Sequence, residues 1–319
     1  MKKNTLKKAG IITVSIIGTL AVAGSVYMGK LVTDSVLYQN KDIDTTYNTM
    51  KQLETWGYDF EAFTSKYQGT EISAVAEDGN EVPATYFDTE STKCVVLVHG
   101  AGGDRYSTAP LAEQYLERGF DVIVHDQRGC GSNPDKKVTF GINESLDVRA
   151  LVKYARETGN CDEVIVHGQS MGGQTTAVYA SNVTPGTVEA ADAVICDSPV
   201  PGMEYMIRDV IGDGEEGANS AFTSYLVDTS KIYMKAVYGI SYGEGDTIKA
   251  VKNDKLPTLV FVSEQDTVCL PEKVEEVYDS IASENKQIAY VNSKHIEGVL
   301  DDPEGYMESV VTFLDAQGL

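Results

Sequence analysis

Polar and apolar positions along this 319-residue chain follow two different rhythms. Over residues 71–88 they alternate, with Asp78-Gly79-Asn80 at the centre, which predicts a hairpin. Beyond it, short apolar, β-branched runs predict buried strands at 94–99, 121–125, 164–167, 193–196, 258–263 and 287–291. Between and after these runs, apolar residues recur at helical spacing over 111–118, 144–158, 272–282 and 305–316. Strands alternating with helices predict a mostly parallel sheet covered on both faces.

Two stretches depart from this rhythm. Residues 9–28 carry no charge, and Lys2, Lys3, Lys7 and Lys8 precede them. Twenty helical residues span about 30 Å, the hydrocarbon thickness of a bilayer. The leading lysines predict an N-terminus in the cytoplasm, with everything after Lys30 on the far side. A cleaved signal peptide is the rival reading, with an apolar core at 11–20 and Ala21-Val22-Ala23 as its cleavage site. The second stretch, 200–250, is rich in Gly and Tyr, with acids at 213, 215 and 216. It predicts short helices and loops, an inserted cap. Between the two, residues 31–70 form a helical lead-in, where Trp56 and its aromatic neighbours are expected to dock on the main body.

The net charge is −22, and without the first eight residues the chain holds 22 basic against 48 acidic groups. Such a body repels polyanions, so nucleic acid is excluded as a partner. The five cysteines, Cys94, Cys130, Cys161, Cys196 and Cys269, show no C-x-x-C spacing and no accompanying histidine cluster. Neither a zinc site nor a disulfide framework is predicted from them.

The candidate chemistry centres on Gly168-Gln169-Ser170-Met171-Gly172-Gly173, between the strand at 164–167 and a small-residue amphipathic stretch. Gly-x-Ser-x-Gly there predicts a sharp strand-to-helix turn with Ser170 at its apex as a nucleophile, pointing out of the sheet. A Cβ at 168 or 172 would collide as strand and helix fold back on each other. Of the four histidines, His295 follows the last strand and precedes the C-terminal helix, which suits a general base. An imidazole, with an ordinary pKa near ~6.5, can take the serine proton and return it to a leaving group. The acid that fixes its tautomer is expected at Asp266, with Glu264 and Asp197 as rivals. Two backbone N–H groups should bind the developing oxyanion, those of Met171 and Ala101. Ala101 lies in the loop His99-Gly100-Ala101-Gly102-Gly103.

These stretches, together with Asp126-Gln127-Arg128-Gly129-Cys130-Gly131-Ser132 and Asp266-Thr267-Val268, resemble the ordered landmarks of the α/β-hydrolase superfamily. Within it the chain is similar to exported bacterial members of the BEM46-like and prolyl oligopeptidase-like groups. The resemblance covers about residues 70–319. It implies an eight-stranded, mostly parallel sheet, no cofactor, and bracing roles for Asp126 and Arg128. Gln169 departs from the histidine that many members carry before the nucleophile.

The expected organisation is a membrane anchor at 1–30, the lead-in at 31–70, and a hydrolase domain at 71–319 with its cap. The expected activity is cleavage of a carboxylic ester, thioester or small amide through an acyl-enzyme on Ser170. The substrate would be a small acyl or peptide molecule, with Tyr205 and Met206 of the cap lining its pocket and no metal required. Acyl transfer to a lipid or wall acceptor, and a silent surface binding module, are the alternatives.

Overall fold

The computed structural model describes residues 2–212 and 215–319, with side chains from Leu20 onward except Glu215 and Glu216. Asp213, one of the acids noted in the cap, lies outside the described residues. The strands are β1 (Thr70–Val75), β2 (Glu81–Phe87), β3 (Lys93–Val98), β4 (Asp121–His125), β5 (Glu163–Gln169), β6 (Ala193–Asp197), β7 (Thr258–Ser263) and β8 (Lys286–Val291). The helices are α1 (Lys2–Leu37), α2 (Thr45–Thr55), α3 (Phe60–Lys66), α4 (Ala109–Glu117), α5 (Glu144–Glu157), α6 (Met171–Asn182), α7 (Met203–Gly212), α8 (Glu215–Ala218), α9 (Ala221–Tyr238), α10 (Thr247–Ala250), α11 (Pro271–Ser280), α12 (Gly298–Asp301) and α13 (Pro303–Gln317).

The eight strands form one sheet in the order β1-β2-β4-β3-β5-β6-β7-β8. β1 and β2 form the expected antiparallel hairpin, and β2 pairs antiparallel with β4. From β4 to β8 every pairing is parallel. This is the mostly parallel, eight-stranded α/β-hydrolase sheet.

Successive side chains of a strand point to opposite faces, so a central strand needs apolar residues at every position. In β3, Cys94, Val96 and Val98 join one buried cluster with Val148, Leu151 and Val152 of α5 and Tyr179 of α6. Val95 and Leu97 face the other way, toward Leu111 and Tyr115 of α4 and Tyr306, Val310 and Phe313 of α13. α5 forms because its apolar residues fall at i, i+3, i+4 and i+7, at Val148, Leu151, Val152 and Ala155. Glu144 and Asp147 in its first turn complement the helix dipole. Truncating a core residue such as Leu151 to Ala would cost about 2–5 kcal/mol.

The chain divides into two compact units. One comprises Tyr38–Met203 and Gly243–Leu319, and holds the sheet and the lead-in helices α2 and α3. There Phe63 of α3 is buried in the sheet's core cluster, and Trp56 Nε1 donates to Glu297 Oε1 at 3.3 Å. The other unit comprises the residues up to Leu37 and Glu204–Tyr242. In it α9, at 18 residues, is longer than the short helices expected for the cap. Its buried stripe of Thr223, Leu226, Val227, Ser230 and Met234 has helical spacing but alternates apolar with hydroxyl side chains, which hid the period. α1 is long and apolar enough to cross a membrane or to act as a signal sequence.

All five cysteines are unpaired and buried, Cys94 and Cys196 within the sheet as expected.

Candidate active site

Parallel strands deliver their following loops to one edge of a sheet. His99 after β3, Asp126 after β4, Ser170 after β5, Asp197 at the end of β6, Asp266 after β7 and His295 after β8 therefore share that edge.

Ser170 has φ 57° and ψ −120°, a conformation rare outside glycine, and is buried to 8% exposure. The turn tolerates no side chain on either flank. A Cβ at Gly168 would sit 2.1 Å from the Gly172 carbonyl oxygen, and one at Gly172 would sit 1.9 Å from that of Val98. Tertiary bonds hold the strained residue in place. Its N–H donates to the Asp197 carbonyl at 2.9 Å, and its own carbonyl accepts from Val200 N at 3.3 Å.

Oγ of Ser170 lies 2.8 Å from Nε2 of His295, and Nδ1 of His295 lies 2.6 Å from Oδ2 of Asp266. β7 and β8 explain the second contact. Their parallel pairing runs to Ser263 and Val291, and continues as Glu264 N to Val291 O at 2.9 Å and Gln265 N to Ser293 O at 3.0 Å. The two loops thus leave the sheet already joined. Oδ1 of Asp266 accepts from the N–H groups of Val268 and Cys269 at 2.8 and 2.9 Å, which aims Oδ2 at the imidazole. The Asp266 side chain is 1% exposed and that of His295 18%.

The rival acids stand elsewhere. Glu264 is exposed. Asp197 is fully buried, and its Oδ2 accepts from Gln169 Nε2 and from the Tyr306 hydroxyl, both at 3.0 Å. Burial raises its pKa, against the hydrogen bonds that favour its charge. Gln169, the departure from the common histidine, therefore braces the end of β5 just before Ser170. The network continues from Tyr306 to His167 at 3.0 Å and from His167 to the Tyr115 hydroxyl at 2.9 Å.

The loop at 99–103 runs beside the serine, and a Cβ at Gly100 would lie 3.8 Å from Ser170 Oγ. The Ala101 N–H has no acceptor among the described residues. The Met171 N–H opens α6, where first-turn donors have no helical partner. The loop is held from below by Gln127, whose N–H donates to His99 Nε2 at 3.0 Å. Nε2 is thereby an acceptor, and burial lowers the His99 pKa, which keeps the ring neutral. Asp126 braces its loop through Arg105, Ser132 N and Ser132 Oγ at 2.8–2.9 Å. Arg128, buried, is clamped by Asp78, Asp135 and Asp147. These contacts match the bracing roles that the resemblance implied.

Sequence reasoning missed the lead-in as a support of this loop. Asn48 Nδ2 donates to the Gly102 carbonyl at 3.1 Å, and Thr49 Oγ1 accepts from Asp104 N at 2.8 Å. Asn48, Lys51, Gln52, Thr55 and Trp56 also line an open cleft of about 430 Å³ together with Ala101–Gly103. The only available signal was a polar face on α2. Tyr205 and Met206, expected to line the pocket, are half-buried on α7 in the other unit. Among the described residues no group of three or more His, Cys, Asp or Glu could hold a metal ion.

Comparisons with known proteins agree with this architecture. A family model described as "alpha/beta hydrolase fold" matches residues 93–217. The Bacillus subtilis protein YqkD is 22% identical over 308 residues, covering 94% of this chain and 95% of that protein. A thermostable monoacylglycerol lipase from Bacillus sp. H-257 is 27% identical over 221 residues, 65% of this chain and 84% of the lipase. Among solved structures, the Pyrococcus furiosus esterase Pf2001 superposes with a TM-score of 0.63 at 21% identity, covering 81% of this chain and 96% of the esterase. The chain carries the α/β-hydrolase fold, and the proteins it is similar to include a lipase and an esterase.

Proposed function

We propose that this enzyme is a serine hydrolase that cleaves a small acyl ester, with a thioester or a small amide as the alternative target of the same acyl-enzyme chemistry. The observation that carries the reading is the continuous chain from Ser170 Oγ through His295 to Asp266, at 2.8 and 2.6 Å. His295 Nε2 takes the proton of Ser170 as Oγ attacks the acyl carbon. Asp266 holds Nδ1–H, which leaves Nε2 free to accept and stabilises the imidazolium. The N–H groups of Ala101 and Met171 receive the oxyanion. His295 then gives its proton to the leaving alcohol, and water repeats the sequence on the acyl-enzyme. The cleft lined by α2 and Ala101–Gly103 opens beside the proposed oxyanion donors and offers room for one side of the substrate. The similarity to a monoacylglycerol lipase over 84% of its length supports an ester in preference to a peptide bond.

The same reading places α1 as an uncleaved anchor, with the acidic body outside the cytoplasm. The lysines before residue 9 and the length of α1 support it.

The test is fluorophosphonate labelling of the full-length chain in detergent, followed by a screen of acyl esters and aminoacyl amides. Labelling confined to Ser170, with turnover of acyl esters, is the expected result. Labelling that persists in Ser170→Ala would remove Ser170 as the nucleophile. Turnover of aminoacyl amides alone would replace the ester reading.

A further inference from the structure

Within one compact unit, α1 and α9 run side by side in the same direction. Ser25 Oγ lies 2.9 Å from the Tyr225 hydroxyl, Thr33 Oγ1 lies 3.0 Å from Ser230 Oγ, and Tyr238 donates to Asp34 Oδ1 at 3.2 Å. Between these contacts the backbones touch, because a Cβ at Gly29 would sit 2.5 Å from the Thr229 carbonyl oxygen.

This register aligns two charge boundaries that lie about 200 residues apart in sequence. α1 is uncharged from Ala9 to Gly29, and its next charges are Lys30 and Asp34. The second segment is uncharged from Gly217 to Val227, and its next charges are Asp228, Lys231 and Lys235. With Gly29 against Thr229, both helices change from uncharged to charged at the same level. On the uncharged side, Leu20, Val22, Val26 and Tyr27 of α1 and Phe222 and Tyr225 of α9 are exposed. The two aromatic side chains of the first turns of α9, Phe222 and Tyr225, thus face outward, while Thr223, Leu226 and Val227 are buried. Ile232 and Val237 are exposed as well, but they lie beyond Asp228, so exposure alone does not select a lipid partner. The shared boundary does.

We infer that residues 217–227 insert into the interface of the bilayer that α1 crosses, with Phe222 and Tyr225 as aromatic anchors beside the emerging span. The inference rests on the reading of α1 as a membrane span. Aromatic rings are favoured at the headgroup level, and an uncharged helix end loses little on entering it. Glu215 and Glu216 precede the segment and limit it to the interface. The acidic body favours a zwitterionic surface over an anionic one.

The test uses the full-length chain in phosphatidylcholine vesicles. Single cysteines are introduced as Val22→Cys, Phe222→Cys and Ile232→Cys, each coupled to an environment-sensitive fluorophore. The five native cysteines are buried, and the parent chain treated identically supplies the background. All three sites are exposed, so substitution leaves the packing intact. Nitroxide-labelled lipids are expected to quench the probes at 22 and 222 several-fold more than the probe at 232. A probe at 222 quenched no more than that at 232, while 22 is quenched, overturns the inference and leaves the span standing. An unquenched probe at 22 overturns the span and the inference with it.

Discussion

Oδ2 of Asp266 lies 2.6 Å from Nδ1 of His295, and the backbone pairing of Glu264 with Val291 and of Gln265 with Ser293 holds the two loops in that register. The carboxylate is oriented by two further N–H donors and is closed off from water. Asp266→Asn should therefore preserve the fold and lower kcat by about 10⁴-fold, if the loss seen in the chymotrypsin triad transfers. Glu264→Gln, at an exposed position, should leave kcat near normal, and so should Asp197→Asn, which keeps an acceptor for Gln169 and Tyr306. Steady-state kinetics on one ester decides between them. A large loss in Asp197→Asn with normal Asp266→Asn would move the acid to β6.

The lead-in supports the loop that carries Ala101. Thr49→Val removes the acceptor of the buried Asp104 N–H, which costs about 1–3 kcal/mol. The expected outcome is a lower Tm together with slower fluorophosphonate acylation, since the same loop carries the proposed oxyanion donor Ala101. Glu54→Ala, on the exposed side of α2, should change neither. Acylation at the parent rate in Thr49→Val would separate the lead-in from the chemistry.

Stability should fall on acidification well above the carboxylate range. Burial holds the pKa of His125 and of His167 down to about 3, with the neighbouring His99 adding to the effect at His125. In the unfolded chain an imidazole titrates near ~6.5. From about pH 6.5 down to 3 the unfolded state therefore binds protons that the folded state refuses. Each histidine then removes about 1.4 kcal/mol per pH unit. Asp126 extends the loss further. Burial opposes its charge, but Arg105 and the N–H groups of Ser132 and Arg105 outweigh burial and bring its pKa down to about 2. The stability it contributes is present above about pH 4 and is lost as pH falls through 2. Urea unfolding at several pH values measures the slope, and His125→Gln should flatten it between pH 6 and 4. An unchanged slope would mean that His125 is protonated in the folded state.

The cap is expected to select substrates without performing chemistry. Tyr205→Ala and Met206→Ala should change the ratio of kcat/KM between short and long acyl esters, while fluorophosphonate labelling of Ser170 survives. A uniform loss across all esters, with reduced labelling, would point to damaged folding.

Protease added to intact cells should release the acidic body from the membrane, since every residue after Lys30 is expected on the far side from the leading lysines. Full protection, with the protein in a soluble fraction, would contradict the anchor.

Much of this protein is legible in local pattern. The strand runs are apolar without a break over 94–98, 164–166 and 259–262, because both faces of a parallel sheet are covered. The period-3.6 stripe of α5 is equally plain, as is Gly-x-Ser-x-Gly between a strand and a helix. That Ser170, Asp266 and His295 each follow a parallel strand belongs to the same reading, because parallel strands open onto one edge. What sequence could not decide was which of three carboxylates meets the imidazole. All three follow a strand; the pairing of β7 with β8 brings the Asp266 loop and not that of Asp197 to His295, and within that loop Asp266 turns inward while Glu264 is exposed. Nor could it show that Asn48 and Thr49 hold the loop at 99–103, because their partners lie some 50 residues away and polar residues on a helix face are ordinary. The packing of α1 on α9 was the least visible feature. A single glycine and scattered hydroxyls carry no period, and about 200 residues separate the two helices. Local periodicity records which face of an element is buried, whereas only the folded chain fixes which partner buries it.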